Sequence, residues 1–243
     1  MTLEFLSPAV TARSRSPMER QAVAAGARLE QRDGWNVAVG FEGPEQERER
    51  CRSSAGFADL SHIGKVEIQA TAADLTRIAM AHTGAPLELG AAARADGAWW
   101  CPFTPERAIV ICDAAAVSDQ RATLEEAAAD CDEPASIVDV TTAFAALTIV
   151  GPLARETFAR FCALDLRPQA TPIGGFRPGS VARTPGAVLR EGDERFLMLF
   201  GAALGQYMWT VVADAAESLG GGPAGVDVLD PIEAPRPEVP ARA

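Results

Sequence analysis

Asp59 and His62 are the first residues in this sequence whose types and spacing suggest proton chemistry. They stand three residues apart in Asp59-Leu60-Ser61-His62, and a histidine beside a carboxylate near a ligand titrates close to pH 7. The same spacing fits a turn in which the Asp59 or Ser61 side chain binds backbone amides. Because Asp139-Val140-Thr141 repeats the pattern later in the chain, we favour the backbone role.

The cysteines predict neither a disulfide framework nor a metal centre. Five of them occur, an odd number with no C-x-x-C pair, and two histidines are too few for a histidine-rich zinc site. We expect reduced thiols that pack as small apolar residues, and no bound metal. The signatures G-x-S-x-G and H-E-x-x-H are absent, as is G-x-G-x-x-G after a strand.

Arginines of a long irregular segment are further candidates for binding. Arg167 and Arg177 lie within it, and Arg183 follows it. Loops of this kind carry function more often than average. A guanidinium group grips a carboxylate ligand or an acidic partner well, although solvated arginines are the commoner case.

Composition indicates a globular protein. The chain has 243 residues, of which 48% are hydrophobic, so it can bury the core of one generous domain or of two small lobes. No apolar run reaches the about 18 residues of a membrane span, and the N-terminus lacks the pattern of a secretory signal. A net charge of −11 disfavours a phosphate backbone. We expect a cytoplasmic protein that binds neither membranes nor nucleic acid.

Hydrophobic patterns predict the elements that position these residues. Alternation predicts a half-buried strand over 65–69, and the amphipathic pattern that follows predicts a helix over 72–82, where His82 favours the helix C-terminus. The charged stretch 42–52 predicts a helix with Pro44 in its first turn. Further strands are predicted over 108–112, 137–150 with an internal turn, 179–189 and 195–200, and further helices over 116–129, 152–162 and 203–219.

These predicted elements repeat at a spacing of about 80 residues, beginning at Asp59 and Asp139. The fold class is therefore α+β, with two pseudo-repeated ferredoxin-like (split βαβ) lobes. We expect an N-terminal extension over 1–44, the duplicated fold over 45–219 with lobes at about 57–131 and 136–219, and a Pro-rich tail over 220–243. A tail so rich in proline cannot hold a helix or a central strand, and we expect it to lie on a partner or to be mobile.

Several segments carry a resemblance to a known family. Residues 52–66, RSSAGFADLSHIGKV, resemble the opening signature of the aminomethyltransferase (glycine cleavage T protein) superfamily, which binds tetrahydrofolate. A narrower branch, the gamma subunit of heterotetrameric sarcosine oxidase, is similar in the runs SIVDVT, LTIVGPLAR, CALDLRP and QYMW. The resemblance spans roughly 45–219 and implies the fold of the aminomethyltransferase folate-binding domain.

Two carboxylates of that superfamily are missing at the matching positions. The family segment that places a carboxylate near the reacting nitrogen is mostly absent between Asp96 and Glu106. The glutamate that holds the pterin ring in the family aligns with Leu197 in Gly192-Asp193-Glu194-Arg195-Phe196-Leu197. Leucine accepts no hydrogen bond, and an unpaired buried donor costs about 1–3 kcal/mol. The resemblance therefore implies a chain without its own active site.

We expect a non-catalytic gamma-type structural subunit of a folate-linked flavin amine oxidase such as sarcosine oxidase, in one-carbon metabolism. No catalytic or cofactor-binding residue is expected in this chain, whereas FAD or FMN is expected on larger flavoprotein partners; a homo-oligomer is the other assembly considered. The alternative is a stand-alone tetrahydrofolate-dependent aminomethyltransferase or methyltransferase that uses Asp59, His62, Arg190 and Asp193. A folate-binding regulator ranks last, because its Lys-Gly-Cys-x-x-Gly-Gln-Glu motif is absent.

Overall fold

The computed structural model describes residues 14–229; the segments 1–13 and 230–243, with most of the predicted tail, lie outside the described residues. The helices are α1 (Glu19–Ala24), α2 (Pro44–Ser53), α3 (Ala72–Thr83), α4 (Val117–Ala129), α5 (Ala154–Ala159) and α6 (Gly205–Glu217). The strands are β1 (Ser14–Arg15), β2 (Arg28–Arg32), β3 (Trp35–Gly40), β4 (Gly56–Asp59), β5 (Gly64–Gln69), β6 (Ala93–Ala95), β7 (Ala98–Thr104), β8 (Arg107–Cys112), β9 (Ser136–Asp139), β10 (Phe144–Val150), β11 (Phe176–Val181), β12 (Thr184–Gly192), β13 (Arg195–Gly201) and β14 (Gly222–Pro223). Within 14–229, no helix is long and apolar enough to cross a membrane.

Two mainly antiparallel sheets form the body of the protein. One has the strand order β6-β7-β8-β5-β9, and the other has the order β11-β12-β13-β10-β4-β14. The order β6-β7-β8-β5 in the first sheet corresponds to the order β11-β12-β13-β10 in the second sheet. The α+β class with two repeated halves is therefore confirmed.

The first strand of each half lies in the sheet of the other half. Strand β4 pairs with β10 of the second half, and β9 pairs with β5 of the first half. Each sheet thus draws on both halves of the sequence, so the expected lobes at 57–131 and 136–219 do not coincide with the sheets. The outer limits of the duplicated fold, 45 and 219, stay predictions.

A third, small sheet with the order β1-β3-β2 precedes the duplicated fold. Its hairpin turns at Asp33-Gly34, where both residues have positive φ values of 47° and 78°, as a two-residue turn between antiparallel strands requires. Val37 and Val39, which lie in β3 of this small sheet, are buried. The described part of the expected N-terminal extension is therefore packed against the rest of the chain.

The second sheet contains a hairpin that the sequence pattern missed. The predicted strand 179–189 is wrong in its bounds, because two strands, β11 and β12, reverse at Ala182-Arg183. Both turn residues have positive φ values, 48° and 63°, which residues other than glycine, asparagine and aspartate rarely adopt. The Tyr207 hydroxyl donates a hydrogen bond of 3.0 Å to the Ala182 carbonyl and holds this turn against α6.

The described part of the Pro-rich tail packs on its own chain, contrary to the expectation for 220–229. Strand β14 lies at the sheet edge beside β4, and the Glu47 carboxylate accepts hydrogen bonds from the backbone N–H groups of Phe41 (2.8 Å), Gly43 (3.1 Å) and Gly225 (2.7 Å). Glu47 is 1% exposed. One buried carboxylate thus joins the third sheet, α2 and the tail.

Replacing Glu47 with glutamine tests the contribution of these three hydrogen bonds. An amide presents donors where three backbone N–H groups need acceptors, so we expect Glu47→Gln to lower the free energy of unfolding by about 2–3 kcal/mol. Glu49→Gln, an exposed site on the same helix, is the matched control and should change it by less than about 0.5 kcal/mol. Urea unfolding measures both variants, and equal effects would contradict the role of Glu47.

Candidate functional site

The two repeated aspartates end their strands and cap the turns at which the chain changes sheets. Asp59 Oδ1 accepts a hydrogen bond of 2.9 Å from the Ser61 N–H, and Asp139 Oδ1 accepts one of 2.9 Å from the Thr141 N–H. The side chain two residues before an N–H is well placed for this bond. The backbone role predicted for Asp59 is confirmed.

Lys65, the only lysine in the sequence, joins the two turns. Its Nζ donates hydrogen bonds to the carbonyls of Ser61 (3.0 Å), Ile63 (2.8 Å) and Thr141 (3.3 Å), and its backbone N–H donates to Thr141 Oγ1 (3.0 Å). The residue is 0% exposed. Burial lowers the pKa of Lys65 to about 8, while the charges of Asp59 and Asp139 act in the opposite direction.

The ionisable groups beside Lys65 are strongly affected by burial. Burial raises the pKa of Asp59, and hydrogen bonds from Ser16 and Ser61 oppose that effect. Burial, followed by the positive charge of Lys65, lowers the pKa of His62 to about 4. A pKa of about 4 disfavours the role of proton carrier near pH 7 that the Asp59–His62 spacing suggested.

Arg190 and Asp193, the other two residues that the tetrahydrofolate-dependent alternative would use, lie at a separate place. Arg190 is 5% exposed and donates hydrogen bonds to the carbonyls of Thr171 (3.0 Å) and Gly192 (3.2 Å) and to Asp193 Oδ1 (3.2 Å). Its strand, β12, is separated from β4 by two intervening strands, which is about 14 Å at the usual strand spacing. The structure therefore leaves the four residues as two distant pairs.

The space between the two large sheets is filled by apolar side chains from both. Leu197 is 1% exposed and belongs to this cluster. Its buried members from the first sheet are Trp99, Cys101, Ile109 and Ile111, and those from the second sheet are Ala146, Phe176, Ala187, Leu189, Leu197 and Leu199. We call this set the intersheet cluster. A pterin ring needs hydrogen-bond acceptors for its amine groups. No side chain of the intersheet cluster carries a carboxylate, and its Trp99 Nε1 is a donor without a hydrogen-bond partner among the described residues, so the cluster side chains themselves do not fit a pterin.

Polar groups do occur beside the intersheet cluster, and sequence reasoning missed them. Glu191 is buried and accepts a hydrogen bond of 3.0 Å from Arg195 Nε, while burial raises the pKa of its carboxyl group. The Arg94 guanidinium lies 5.0 Å from the centroid of the Trp99 ring. The turn at Glu191-Gly192 was visible in the sequence, but nothing in its pattern indicated that the glutamate points inward.

The cysteines and Arg177 take part in packing and loop contacts, whereas Arg167 is exposed and pairs with Asp165. All five cysteines are free thiols, and burial raises the pKa of Cys112 to about 11, so it is not a ready nucleophile. Arg177 donates to the Gly90 carbonyl (2.8 Å) and to Ala170, joining the loop of one half to that of the other. Within the described residues no group of three His, Cys, Asp or Glu is placed to hold a metal ion.

Comparison with known proteins relates the sequence to a domain family and to aminomethyltransferases. A family model described as the GCVT N-terminal domain matches residues 18–233. The aminomethyltransferase of Moorella thermoacetica is 26% identical over 234 residues, which cover 90% of this chain and 62% of that protein. The aminomethyltransferase of Rubrobacter xylanophilus is 28% identical over 240 residues, covering 90% and 60%. The chain spans about three fifths of these relatives.

Two solved structures share the fold. The glycine cleavage system aminomethyltransferase T from Bartonella henselae matches with a TM-score of 0.71 at 15% identity, over 88% of this chain and 60% of that one. A chain of heterotetrameric sarcosine oxidase from Corynebacterium sp. U-96, solved in complex with pyrrole 2-carboxylate, matches with a TM-score of 0.64 at 18% identity. That match covers 90% of this chain and 99% of the other. At these identities the likeness establishes the fold alone.

The lowered pKa of His62 predicts a loss of stability in acid. Between pH 6.5 and 4 the unfolded chain binds the imidazole proton and the folded chain does not, so stability falls as the pH falls through this range, by up to about 3 kcal/mol. His62→Gln should lose less stability over the same range. Gln206→Ala, at an exposed site without a titratable side chain, is the control and should follow the wild type. Unfolding curves at several pH values measure this, and identical pH dependence in His62→Gln and the wild type would contradict the assignment.

Proposed function

The chain belongs to the GCVT N-terminal domain family, and on that premise we propose that it is a non-catalytic structural subunit of gamma type in a folate-linked flavin amine oxidase such as sarcosine oxidase. In such a complex, a flavin on another subunit oxidises an N-methyl amine, and tetrahydrofolate accepts the one-carbon unit. The contribution of this chain is to stabilise the assembly.

One observation carries the proposal. Leu197, which aligns with the pterin-holding glutamate of the superfamily, is buried in the intersheet cluster. Burying a polar pterin among leucine, isoleucine and phenylalanine side chains would leave its amine groups unpaired, at about 1–3 kcal/mol for each. A scaffold that keeps its fold but lacks these acceptors suits docking better than catalysis.

A second observation supports the gamma-type assignment. The structural match to a chain of heterotetrameric sarcosine oxidase runs through 99% of that chain. The proposal therefore places FAD or FMN on larger flavoprotein subunits and tetrahydrofolate on a partner. It also places the complex in the cytoplasm.

The alternative is a stand-alone tetrahydrofolate-dependent aminomethyltransferase or methyltransferase. The relatives matched over 90% of this chain are named aminomethyltransferases, which favours it. It requires Asp59, His62, Arg190 and Asp193 to bind folate, yet Asp59 already binds a backbone amide, and Arg190 binds two carbonyls and Asp193. Transfer of a one-carbon unit to tetrahydrofolate by the isolated chain would favour this alternative.

Co-purification tests the subunit proposal. The full-length chain, carrying an affinity tag and produced together with the flavoproteins of its own cell, should elute with larger polypeptides and a flavin absorption spectrum. We expect flavin and chain to stay in constant proportion across a size-exclusion peak, because a structural subunit is a fixed part of the complex. The tag alone is the control. A stable monomer without flavin would contradict the proposal.

A further inference from the structure

The outer edge of β9 in the first sheet is free, whereas the matching edge of the second sheet is covered. The order β6-β7-β8-β5-β9 corresponds to β11-β12-β13-β10-β4, and the second sheet continues with β14. Strand β14 comes from the tail of the chain and pairs in parallel with β4. Among the strands that the structure describes, β9 pairs with β5 alone. The first sheet therefore lacks a counterpart of β14.

Two carbonyl groups of β4 hold β14 in place. The Ala55 carbonyl accepts a hydrogen bond of 3.0 Å from the Gly222 N–H, and the Phe57 carbonyl accepts one of 2.8 Å from the Ala224 N–H. Strand β14 also contacts α6, the helix that packs on this side of the second sheet. An added strand at this edge is thus held by backbone hydrogen bonds on one side and by a helix on the other.

The matching backbone groups are present on β9 and have no partner. The Val140 N–H donates a hydrogen bond of 2.8 Å to the Lys65 carbonyl of β5. Backbone groups alternate in direction along an antiparallel strand, so those of Ile137 and Asp139 point away from β5. Counting back from the aspartates that end the two strands, Ala135 and Ile137 match the two residues of β4 whose carbonyls hold β14. Within the described chain neither of these two carbonyls accepts a hydrogen bond.

A shallow groove of about 350 Å³ runs beside this edge, between α4 and β9. It matches the place of β14, because α4 follows β8 in the first half as α6 follows β13 in the second. Its lining residues are Glu125, Ala128, Ala129, Ala135 and Ile137. The three alanines leave room for the side chains of an added strand. Beside the groove, Val138 of β9 is 46% exposed.

The surroundings of this edge are acidic. Residues 125–139 contain six aspartates and glutamates and no lysine, arginine or histidine. One of the six, Glu125, forms an ion pair of 3.2 Å with Arg121. The exposed carboxylates next to or within β9 are those of Asp132, Glu133 and Asp139. Charges of one sign along an edge repel a second copy of the same edge and attract a chain of opposite charge. The occupant that fits is therefore a basic segment and not another copy of this protein.

We propose that the edge of β9 is a docking site for an extended basic segment of another protein, which joins the first sheet as β14 joins the second. The N–H groups of that segment donate hydrogen bonds to the carbonyls of Ala135 and Ile137, and its backbone runs parallel to β9 beside α4. Its lysine and arginine side chains pair with the exposed carboxylates around the edge. The docking does not require a flavoprotein partner, so it and the subunit role can fail separately.

Backbone amide NMR of the full-length protein tests whether the edge is free. The N–H groups of Ile137 and Asp139 should exchange with deuterium faster than that of Val138, because Val138 faces β5. Equal protection of the three groups would mean that the chain itself or a second copy already covers the edge, and it would overturn the proposal.

Synthetic peptides test the occupant. The peptide Ac-Arg-Val-Arg-Val-Arg-NH2 should shift the amide signals of Ile137 and Asp139 in a saturable way and slow their exchange. The acidic peptide Ac-Glu-Val-Glu-Val-Glu-NH2 is the control and should do neither. The proposal fails if the two peptides act equally or if the basic peptide has no saturable effect.

N-methylated peptides test whether the segment joins as a strand. Only every second N–H group of an added strand faces the sheet. Methylation of the valine nitrogens and methylation of the arginine nitrogens should therefore differ: one set weakens binding by about tenfold or more, and the other leaves it nearly unchanged. Equal effects of the two sets would show that charge alone holds the peptide, which contradicts strand addition.

Exposed variants test the position of the basic side chains. Asp132→Asn combined with Glu133→Gln should weaken binding of the basic peptide by about threefold or more, because two carboxylates beside the edge lose their charge. Asp214→Asn combined with Glu217→Gln removes the same charge from exposed positions on α6 and is the matched control. Equal affinities of the two double variants would overturn the assignment of the edge.

Discussion

One buried ammonium group holds together the two turns at which the chain crosses between its sheets. The three carbonyls around Lys65 Nζ come from both repeated halves: those of Ser61 and Ile63 from the first and that of Thr141 from the second. A buried charge is tolerated only when its donors are paired with acceptors, and the three carbonyls supply that pairing. This contact and the two aspartate turns beside it therefore stabilise the place where β4 and β9 are exchanged between the sheets.

The exchange of strands also determines what lies between the sheets. Each sheet contains a strand from the other half, so the chain passes between the two sheets at more than one place. The surfaces that the two sheets present to each other must therefore be filled. In this protein the filling is apolar, from Trp99 and Ile109 on one side to Leu189 and Leu197 on the other. The same architecture can house a ligand or a core, and the side chains at these few positions decide which. This is why we place the chemistry of the proposed complex on other subunits.

The sequence predicted the repeated elements well, because hydrophobic periodicity and helix-start signals are local. Pro44, which lies in the first turn of α2, is an example. The turn at Ala182-Arg183 was missed, since it is stabilised by a tertiary hydrogen bond from Tyr207 and carries no glycine or asparagine. The strand exchange and the hydrogen bonds of Glu47 involve residues that are distant in sequence, which no local pattern reveals. The four residues that the tetrahydrofolate-dependent alternative would combine in one site lie at two separate places in the fold.

Equilibrium binding of tetrahydrofolate to the full-length chain shows most directly whether the protein can hold a pterin. At the position that matches the pterin-holding glutamate, the intersheet cluster presents the apolar side chain of Leu197. Isothermal titration calorimetry should therefore detect no saturable heat when reduced folate is added to the purified protein under anaerobic conditions. Stoichiometric binding with a micromolar dissociation constant would contradict the claim and favour the aminomethyltransferase alternative.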